Sequence, residues 1–138
     1  MKVKLLHKEA KIPSRAYSSA GYDLYCLEDE EIESLDSSLI NTGVAVAIPA
    51  GHVGIVKSKS GLSVKAQLEV GAGVIDSDYR GELMVHIYNH HWRDNYEFKA
   101  GDKIAQLLIV PIFTPELDLV DDLDETDRAE KGFGSSGK

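Results

Sequence analysis

An acidic and an aromatic residue lie three positions apart in a glycine-flanked segment of this chain. The segment reads Gly71-Ala72-Gly73-Val74-Ile75-Asp76-Ser77-Asp78-Tyr79-Arg80-Gly81. Glycines on either side allow the backbone to approach another backbone or a ligand closely. We expect a tight hairpin, on which a carboxylate and a ring can hold a sugar and orient a water molecule. A plain polar hairpin tip is the alternative interpretation.

Four further segments carry residue types that contact phosphate or metal. Asp23, in Ala20-Gly21-Tyr22-Asp23-Leu24-Tyr25, is a candidate turn cap or a ligand of metal and water. The run Ser58-Lys59-Ser60-Gly61-Leu62-Ser63 offers hydroxyl and N–H groups before a possible helix start, an arrangement that can cradle phosphate oxygens. Gln106 is an amide within an apolar strand, in Gly101-Asp102-Lys103-Ile104-Ala105-Gln106-Leu107. The last segment is Arg128 with Gly132-Phe133-Gly134-Ser135-Ser136. Each segment is weak evidence by itself.

The elements that must position these residues are predicted to be strands. Two segments show the two-residue period of half-buried strands. In the first, small residues alternate with Val44, Val46 and Ile48. In the second, Met84, His86 and Tyr88 alternate with Leu83, Val85 and Ile87. The run from Ile104 to Ile112 predicts a core strand, and a short helix is expected only near residues 60–66. Many short strands separated by turn residues are typical of an all-β sandwich or barrel.

Composition restricts the class of protein. The chain has 138 residues, 43% of them hydrophobic, which is enough for one domain with a core. A net charge of −8 argues against general nucleic-acid binding, which needs a basic surface. We find no apolar run long enough to span a membrane and no signal-peptide pattern, so we expect a cytoplasmic, nuclear or host-cytoplasmic location. The single cysteine, Cys26, suits a reducing compartment and is expected to be a small buried side chain.

The character of the sequence changes at Pro115. We expect residues 1–114 to form the core and residues 115–138 to form a C-terminal strand and a mobile arm. Leu117, Leu119 and Val120 can pair as a strand, but the segment after them is acidic and then glycine-rich. Such a sequence cannot bury enough apolar surface to order itself, so Phe133 is expected to stack on a ring elsewhere.

Taken together and in order, the five segments resemble the five motifs of the trimeric dUTPase family (deoxyuridine 5′-triphosphate nucleotidohydrolase). Four stretches are similar to the usual motif sequences of the family: AGYDLY, GAGVIDSDYRG, GDKIAQL and GFGSSG. The resemblance runs from Ala20 to Gly137. It implies a distorted jelly-roll β-barrel, a homotrimer with active sites shared between subunits, and a Mg²⁺ cofactor. The implied reaction is hydrolysis of dUTP to dUMP and pyrophosphate, which supplies dUMP for thymidylate synthesis and keeps uracil out of DNA.

The resemblance also implies a role for each motif residue. Asp76 is the general base, Tyr79 lies against the deoxyribose, and Asp23 holds magnesium through water. The backbone around four residues reads the uracil edge: Gly71, Gly73, Val74 and Met84. The phosphates are contacted by residues of three motifs: Lys59, Ser60, Gly61, Gln106, Arg128, Gly134, Ser135 and Ser136. Phe133 closes over the base.

The chain departs from the family pattern at two motifs. Lys59 stands where an arginine is usual, which keeps the charge but loses the planar two-pronged donor. Arg128 is followed by Ala129-Glu130-Lys131 where the family often has glycines and serine, and Ser136 stands where threonine is frequent. A nucleotide-sensing regulator that contacts another protein is therefore a second hypothesis, and a dCTP deaminase on the same fold is a third.

The pair His90-His91 before Trp92 is a tempting metal site. Adjacent residues on a strand point to opposite faces, so we expect a surface loop with aromatic residues instead.

Overall fold

The computed structural model describes residues 1–126 and residue 129, and the fold is built almost entirely of strands. One α-helix interrupts them, α1 (Ser60–Ala66). Eleven strands are described, in chain order β1 (Lys2–Leu5), β2 (Tyr22–Tyr25), β3 (Glu30–Ile32), β4 (Ser37–Asn41), β5 (Val44–Ala47), β6 (His52–Lys57), β7 (Leu68–Val70), β8 (Val74–Ile75), β9 (Met84–Asn89), β10 (Tyr96–Phe98) and β11 (Lys103–Pro111). None of the helical segments within residues 1–126 is long and apolar enough to cross a membrane.

The described strands pair antiparallel in four small sheets. The largest has the order β2-β11-β6-β8, and a second has the order β4-β9-β7. Two further pairs, β1 with β5 and β3 with β10, complete the pattern. Strand β11 therefore lies between β2, which carries one of the sequence motifs, and β6, which ends directly before another.

The alternating sequence patterns correctly predicted β5 and β9. Val85 and Ile87 are buried, whereas Met84 and Tyr88 on the opposite face of β9 are about 40% exposed. The inward faces of several strands meet in one core, whose largest fully buried side chains include Phe98, Leu24, Ile32, Leu83, Ile87, Ile104 and Leu107. Burial of these apolar faces is the main term that stabilises the sheets against each other.

The short helix is confirmed at the predicted residues. Lys59 is its N-cap in an extended conformation, and Gln67 ends it in the left-handed region with φ of 55°. The Ser63 N–H donates to the Lys59 carbonyl at 2.9 Å, which starts the helical hydrogen-bonding pattern directly after β6.

The predicted hairpin around Asp76 is wrong in its pairing. Strand β8 pairs with β6, whereas β9 pairs with β4 and β7. The chain between them makes a tight turn, in which the Tyr79 N–H donates to the Asp76 carbonyl at 3.2 Å, but this turn connects two different sheets. The two apolar residues of β8 are too few to show their partner in the sequence, and long-range pairing with β6 decides it.

The C-terminal predictions are corrected in two places. Strand β11 is buried at Ile104 and Leu107, but it ends at Pro111, and Ile112 beyond it is 44% exposed. Within residues 112–126 the described chain forms no strand, and Leu117 and Leu119 are each 99% exposed. The predicted strand around Leu117 and Leu119 is therefore not formed within the described residues.

Candidate active site

The turn after β8 forms a pocket that contains several of the predicted site residues. The pocket has a volume of about 210 Å³. Four of its lining residues were predicted from the sequence: Val74, Asp76, Tyr79 and Met84. Three others were missed: Leu39, Ile75 and Glu82. We call this the turn pocket. Leu39 reaches it because β4 pairs with β9, a long-range contact that has no local signal in the sequence.

Hydrogen bonds within the turn hold the side chains of Tyr79 and Arg80. The Tyr79 hydroxyl donates to the Glu82 carbonyl at 3.0 Å, which holds the ring across the turn. The Arg80 guanidinium donates to the carbonyls of Ser77 at 2.8 Å and Tyr79 at 2.7 Å. Asp76 remains exposed at the pocket wall. The turn thus presents an accessible carboxylate beside an oriented ring.

Two glycines of this segment are required for close packing. A Cβ atom on Gly81 would lie 2.3 Å from the Tyr79 hydroxyl oxygen. A Cβ atom on Gly73 would lie 2.5 Å from the Val56 carbonyl oxygen, and this carbonyl belongs to the neighbouring strand β6. The glycines therefore position the turn, in agreement with the close approach expected from the sequence.

The backbone of the segment is partly used by strand pairing. The Gly71 N–H donates to the His86 carbonyl at 2.9 Å, and the Gly73 carbonyl accepts from the Val56 N–H at 2.7 Å. Val74 and Met84 instead lie at the pocket, with side chains 69% and 39% exposed.

A second, polar cleft of about 360 Å³ lies where α1 meets β11. Its lining residues include four predicted phosphate contacts and two additional residues: Lys59, Ser60, Gly61, Leu62, Lys103 and Gln106. We call this the polar cleft. The Gln106 amide donates to the Ser58 carbonyl at 3.2 Å, and a Cβ atom on Gly21 would come within 3.1 Å of Gln106. Gly21 of the first motif therefore makes room for the amide of the fourth.

Asp23 lies between two lysines at the polar cleft. Its Oδ1 accepts from the Lys59 ammonium at 2.5 Å, and its Oδ2 is 2.7 Å from the Lys103 ammonium. The sequence singled out Asp23 and Lys59 but not Lys103. The Asp23 side chain is 18% exposed, whereas the Lys103 side chain is 51% exposed. The carboxylate is therefore the more buried of the two groups.

These contacts shift the ionisation of the cluster. Partial burial raises the pKa of Asp23, but hydrogen bonds from Lys103 and Lys59 and their positive charges lower it, and the net pKa lies below the ordinary 3.8. The hydrogen bond to Asp23 raises the pKa of Lys103 above its ordinary value. Asp23 is therefore an anion and Lys103 a cation at neutral pH.

The residues at the polar cleft fit a hydrated magnesium ion only in combination with substrate. Within the described part of the chain, no three acidic, histidine or cysteine side chains are grouped as a metal cage. Magnesium commonly keeps several waters and binds through one or two carboxylates together with phosphate oxygens. Asp23, whose two carboxylate oxygens contact Lys59 and Lys103, is the predicted residue whose chemistry fits this role.

In one chain the two groups of site residues line separate cavities. Asp76 and Tyr79 line the turn pocket, whereas Lys59 and Gln106 line the polar cleft. Five predicted site residues lie outside the described residues: Arg128, Phe133, Gly134, Ser135 and Ser136.

The His90-His91 pair is part of a surface loop, as predicted. Strand β9 ends at Asn89, and each histidine contacts a different carboxylate. The His90 Nε2 atom is 2.9 Å from Glu69, and the His91 Nδ1 atom is 3.4 Å from Asp94.

The chain matches known proteins over almost its whole length. Residues 8–137 match the family model for dUTPase. Deoxyuridine 5′-triphosphate nucleotidohydrolase of Arabidopsis thaliana is 47% identical over 99% of this chain and 82% of that protein. The protein of the same name from Solanum lycopersicum is 45% identical over 99% of this chain and 80% of that protein.

Solved structures show the same similarity. Staphylococcus bacteriophage 80alpha dUTPase with dUPNHPP superimposes with a TM-score of 0.94 at 38% identity, covering 99% of this chain and 98% of the other. A mutant dUTPase from phage phi11 of S. aureus, described as revealing the coordination of a structural Mg(II) ion, has a TM-score of 0.83 at 35% identity. That match covers 88% of this chain and 96% of the other. The predicted all-β fold of the distorted jelly-roll type is confirmed by these matches.

The fold and the ordered motifs define a nucleotidohydrolase-like β-protein. The chain belongs to the dUTPase family.

Removing Lys103 should change the ionisation of Asp23. In Lys103→Met we expect the pKa of Asp23 to rise, because a hydrogen bond and a positive charge are lost while partial burial remains. The ion pairs contribute stability above the ordinary pKa of 3.8 and lose it as the pH falls through the lower pKa of the folded chain. A carboxyl ¹³C NMR titration of both proteins measures this, and an unchanged Asp23 titration would contradict the assigned contact.

Proposed function

We propose that this enzyme hydrolyses dUTP to dUMP and pyrophosphate. The observation that carries the proposal is the turn pocket, where an exposed carboxylate, Asp76, lies beside the fixed ring of Tyr79 and the accessible residues Val74 and Met84. This combination suits a deoxynucleotide, because it offers a base for water, a flat surface for a sugar and backbone groups for a nucleobase. Membership of the dUTPase family supports the same substrate.

Selection of the nucleotide is assigned to the two sides of the turn pocket. The backbone around Gly71, Gly73, Val74 and Met84 reads the uracil edge through groups other than the Gly71 N–H and the Gly73 carbonyl, which pair with His86 and Val56. A rigid backbone excludes the thymine methyl and the cytosine amino group. A buried donor left unpaired by a wrong base costs about 1–3 kcal/mol. The Tyr79 ring covers the position where a ribose would carry its 2′-hydroxyl, so UTP is a poor substrate.

The chemical step is a direct attack by water on the α-phosphate. Asp76 accepts a proton from the water, the water oxygen forms a bond to the α-phosphorus, and the bond to the bridging oxygen of pyrophosphate breaks in line. No covalent nucleophile is needed. Burial raises the pKa of the Cys26 thiol to about 11, so it stays protonated at neutral pH and takes no part.

The triphosphate is assigned to the polar cleft. Lys59 supplies positive charge, Ser60 and Gly61 supply hydroxyl and backbone donors, and the Gln106 amide supplies a further contact. Magnesium, when bound, offsets the charge that develops on the leaving pyrophosphate. Asp23 would hold it through water.

We further propose that the active site is shared between the subunits of a homotrimer. The turn pocket and the polar cleft are distinct cavities in one chain, which supports a neighbouring copy that brings Asp76 to the phosphates. The exposed Leu117 and Leu119 support a C-terminal segment from Pro115 onward that packs on another subunit. Residues Arg128 to Ser136 then complete a third subunit's site, with Phe133 over the base and Arg128 at the γ-phosphate.

The cellular role follows from the reaction. Removal of dUTP keeps uracil out of DNA, and dUMP is the precursor for dTMP. A cytoplasmic location stays a prediction, since a human relative 43% identical to this chain is named as mitochondrial.

Loss of the proposed base should stop chemistry without stopping binding. In Asp76→Asn we expect dUTP turnover to fall by about 10²–10⁴-fold, because the amide cannot accept the proton. Pyrophosphate release gives the rate, and calorimetry with an imido analogue of dUTP gives the affinity, which should be retained. Asp78→Asn is the matched control in the same turn and should keep most of the activity. An unmutated chain that binds dUTP without turnover would favour the regulator hypothesis.

Removal of the Tyr79 ring should relax sugar discrimination. We expect Tyr79→Ala to lower the ratio of kcat/KM for dUTP over UTP by about tenfold or more, because the steric exclusion of the 2′-hydroxyl is lost. Tyr79→Phe keeps the ring and removes only the hydrogen bond to Glu82, so it should largely keep the preference. Parallel assays with dUTP, UTP, dCTP and dTTP measure the ratios, and equal discrimination in the alanine variant and the unmutated enzyme would refute the role.

Mixed trimers test whether the site is shared. We expect Asp76→Asn and the double variant Lys59→Ala/Gln106→Ala to be inactive alone. After co-refolding in equal amounts, about a quarter of the sites would receive an intact turn pocket from one subunit and an intact polar cleft from its neighbour. Pyrophosphate release should therefore recover to about a quarter of the unmutated rate. Sites built within one subunit would show no recovery, and mixing either variant with itself is the control.

A further inference from the structure

Lys103 reaches the polar cleft although its position in β11 predicts the opposite face. Lys103 and Gln106 are three residues apart, and strand side chains alternate between faces with a period of two. Both nevertheless line the polar cleft. An irregularity in the strand must therefore lie between them.

A β-bulge between Lys103 and Ala105 is that irregularity. Lys103 pairs with Tyr25 and Ala105 pairs with Leu24, so β11 advances two residues while β2 advances one. Ile104 and Ala105 are consequently both buried, at 1% and 0% exposure. Bulges of this kind re-aim a side chain and are frequent next to active sites.

The bulge brings Lys103 to the face that carries Asp23 and Gln106. Gln106 pairs with Asp23, so Lys103 and Gln106 both lie on the face of β2 that carries the Asp23 carboxylate. Each carboxylate oxygen then receives one ammonium, Lys59 at 2.5 Å and Lys103 at 2.7 Å. The cluster has one positive charge in excess, in a chain whose net charge is −8.

This cationic cluster is placed to receive a polyanion. Half of the Lys103 side chain is exposed, so its ammonium can move without unfolding the strand. A lysine ammonium that leaves a carboxylate for a phosphate oxygen exchanges one charge-assisted hydrogen bond for another.

We propose that Lys103 is a second phosphate-binding cation of the active site, and that Asp23 is the internal counter-ion that holds Lys59 and Lys103 until a polyphosphate binds. The proposal rests on the function proposed above. When the triphosphate enters, the two ammonium groups turn to its oxygens, and the Asp23 carboxylate becomes available to metal-bound water. Lys103 thereby couples phosphate binding to release of Asp23.

Metal-free binding of inorganic tripolyphosphate tests the role of Lys103 without turnover. Calorimetry in the presence of EDTA at low ionic strength should show that Lys103→Met binds about tenfold more weakly than the unmutated chain. Lys103→Arg, which keeps the charge, should stay within about threefold, and Lys65→Met in exposed α1 controls for the same loss of net charge. A loss of less than about threefold in Lys103→Met, or a loss equal to that in Lys65→Met, overturns the assignment.

Asp23→Asn tests the counter-ion in the opposite direction. This variant frees both lysines, so metal-free tripolyphosphate should bind more tightly than to the unmutated chain. Unchanged or weaker binding overturns the counter-ion role. Circular dichroism with thermal unfolding verifies that each variant is folded. If the unmutated chain does not hydrolyse dUTP, the proposed function is refuted. The roles of Lys103 and Asp23 are tested independently of that result, because the binding of tripolyphosphate is measured without turnover.

Discussion

The pairing of β11 with two neighbours is the constraint on which the polar cleft depends. On one side Gln106 lies opposite Asp23 of β2, and on the other it lies opposite Lys57 of β6. Strand β6 leads directly into the loop that carries Lys59 and into α1. Because Leu107 and Ala105 of the same strand are fully buried, a slip in register would turn core residues outward and remove Gln106 from the cleft. The apolar core therefore sets the position of the polar groups.

The turn pocket depends on a different set of contacts, which explains why the two cavities are separate. Its residues follow β8, at the edge of the large sheet, and continue into β9 of another sheet. Gly73 allows β8 to approach β6, and the Tyr79–Glu82 hydrogen bond fixes the turn beyond it. The positions of the two cavities are therefore set by separate parts of the fold.

The sequence predicted the elements whose signals are local. Alternation identified β5 and β9, a serine-glycine start identified α1, and the burial of Ile104 and Leu107 followed from the apolar run. Motif order led to Asp76, Tyr79 and the residues around Lys59.

The features that the sequence did not predict depend on long-range geometry. The partner of β8, the contribution of Leu39 to the turn pocket and the bulge that re-aims Lys103 all follow from which strands pair. The predicted strand after Pro115 has exposed apolar residues but no partner within residues 1–126 of the same chain. The backbone N–H and C=O groups of a strand need hydrogen-bond partners on a neighbouring strand. The sequence of one chain does not show a partner strand that another subunit would supply.

Lysine in place of the usual arginine has a physical consequence in this arrangement. An arginine fork would bind Asp23 with two parallel hydrogen bonds, whereas Lys59 makes a single contact to Oδ1 and leaves Oδ2 to Lys103. Two point charges thus share one carboxylate, and each can leave it independently. A similar adjustment is seen at Ala129, whose φ of 45° lies in the left-handed region that favours the glycine frequent in the family. The first departure replaces a planar fork with two separate contacts to Asp23, and the second places a residue other than glycine at a positive φ.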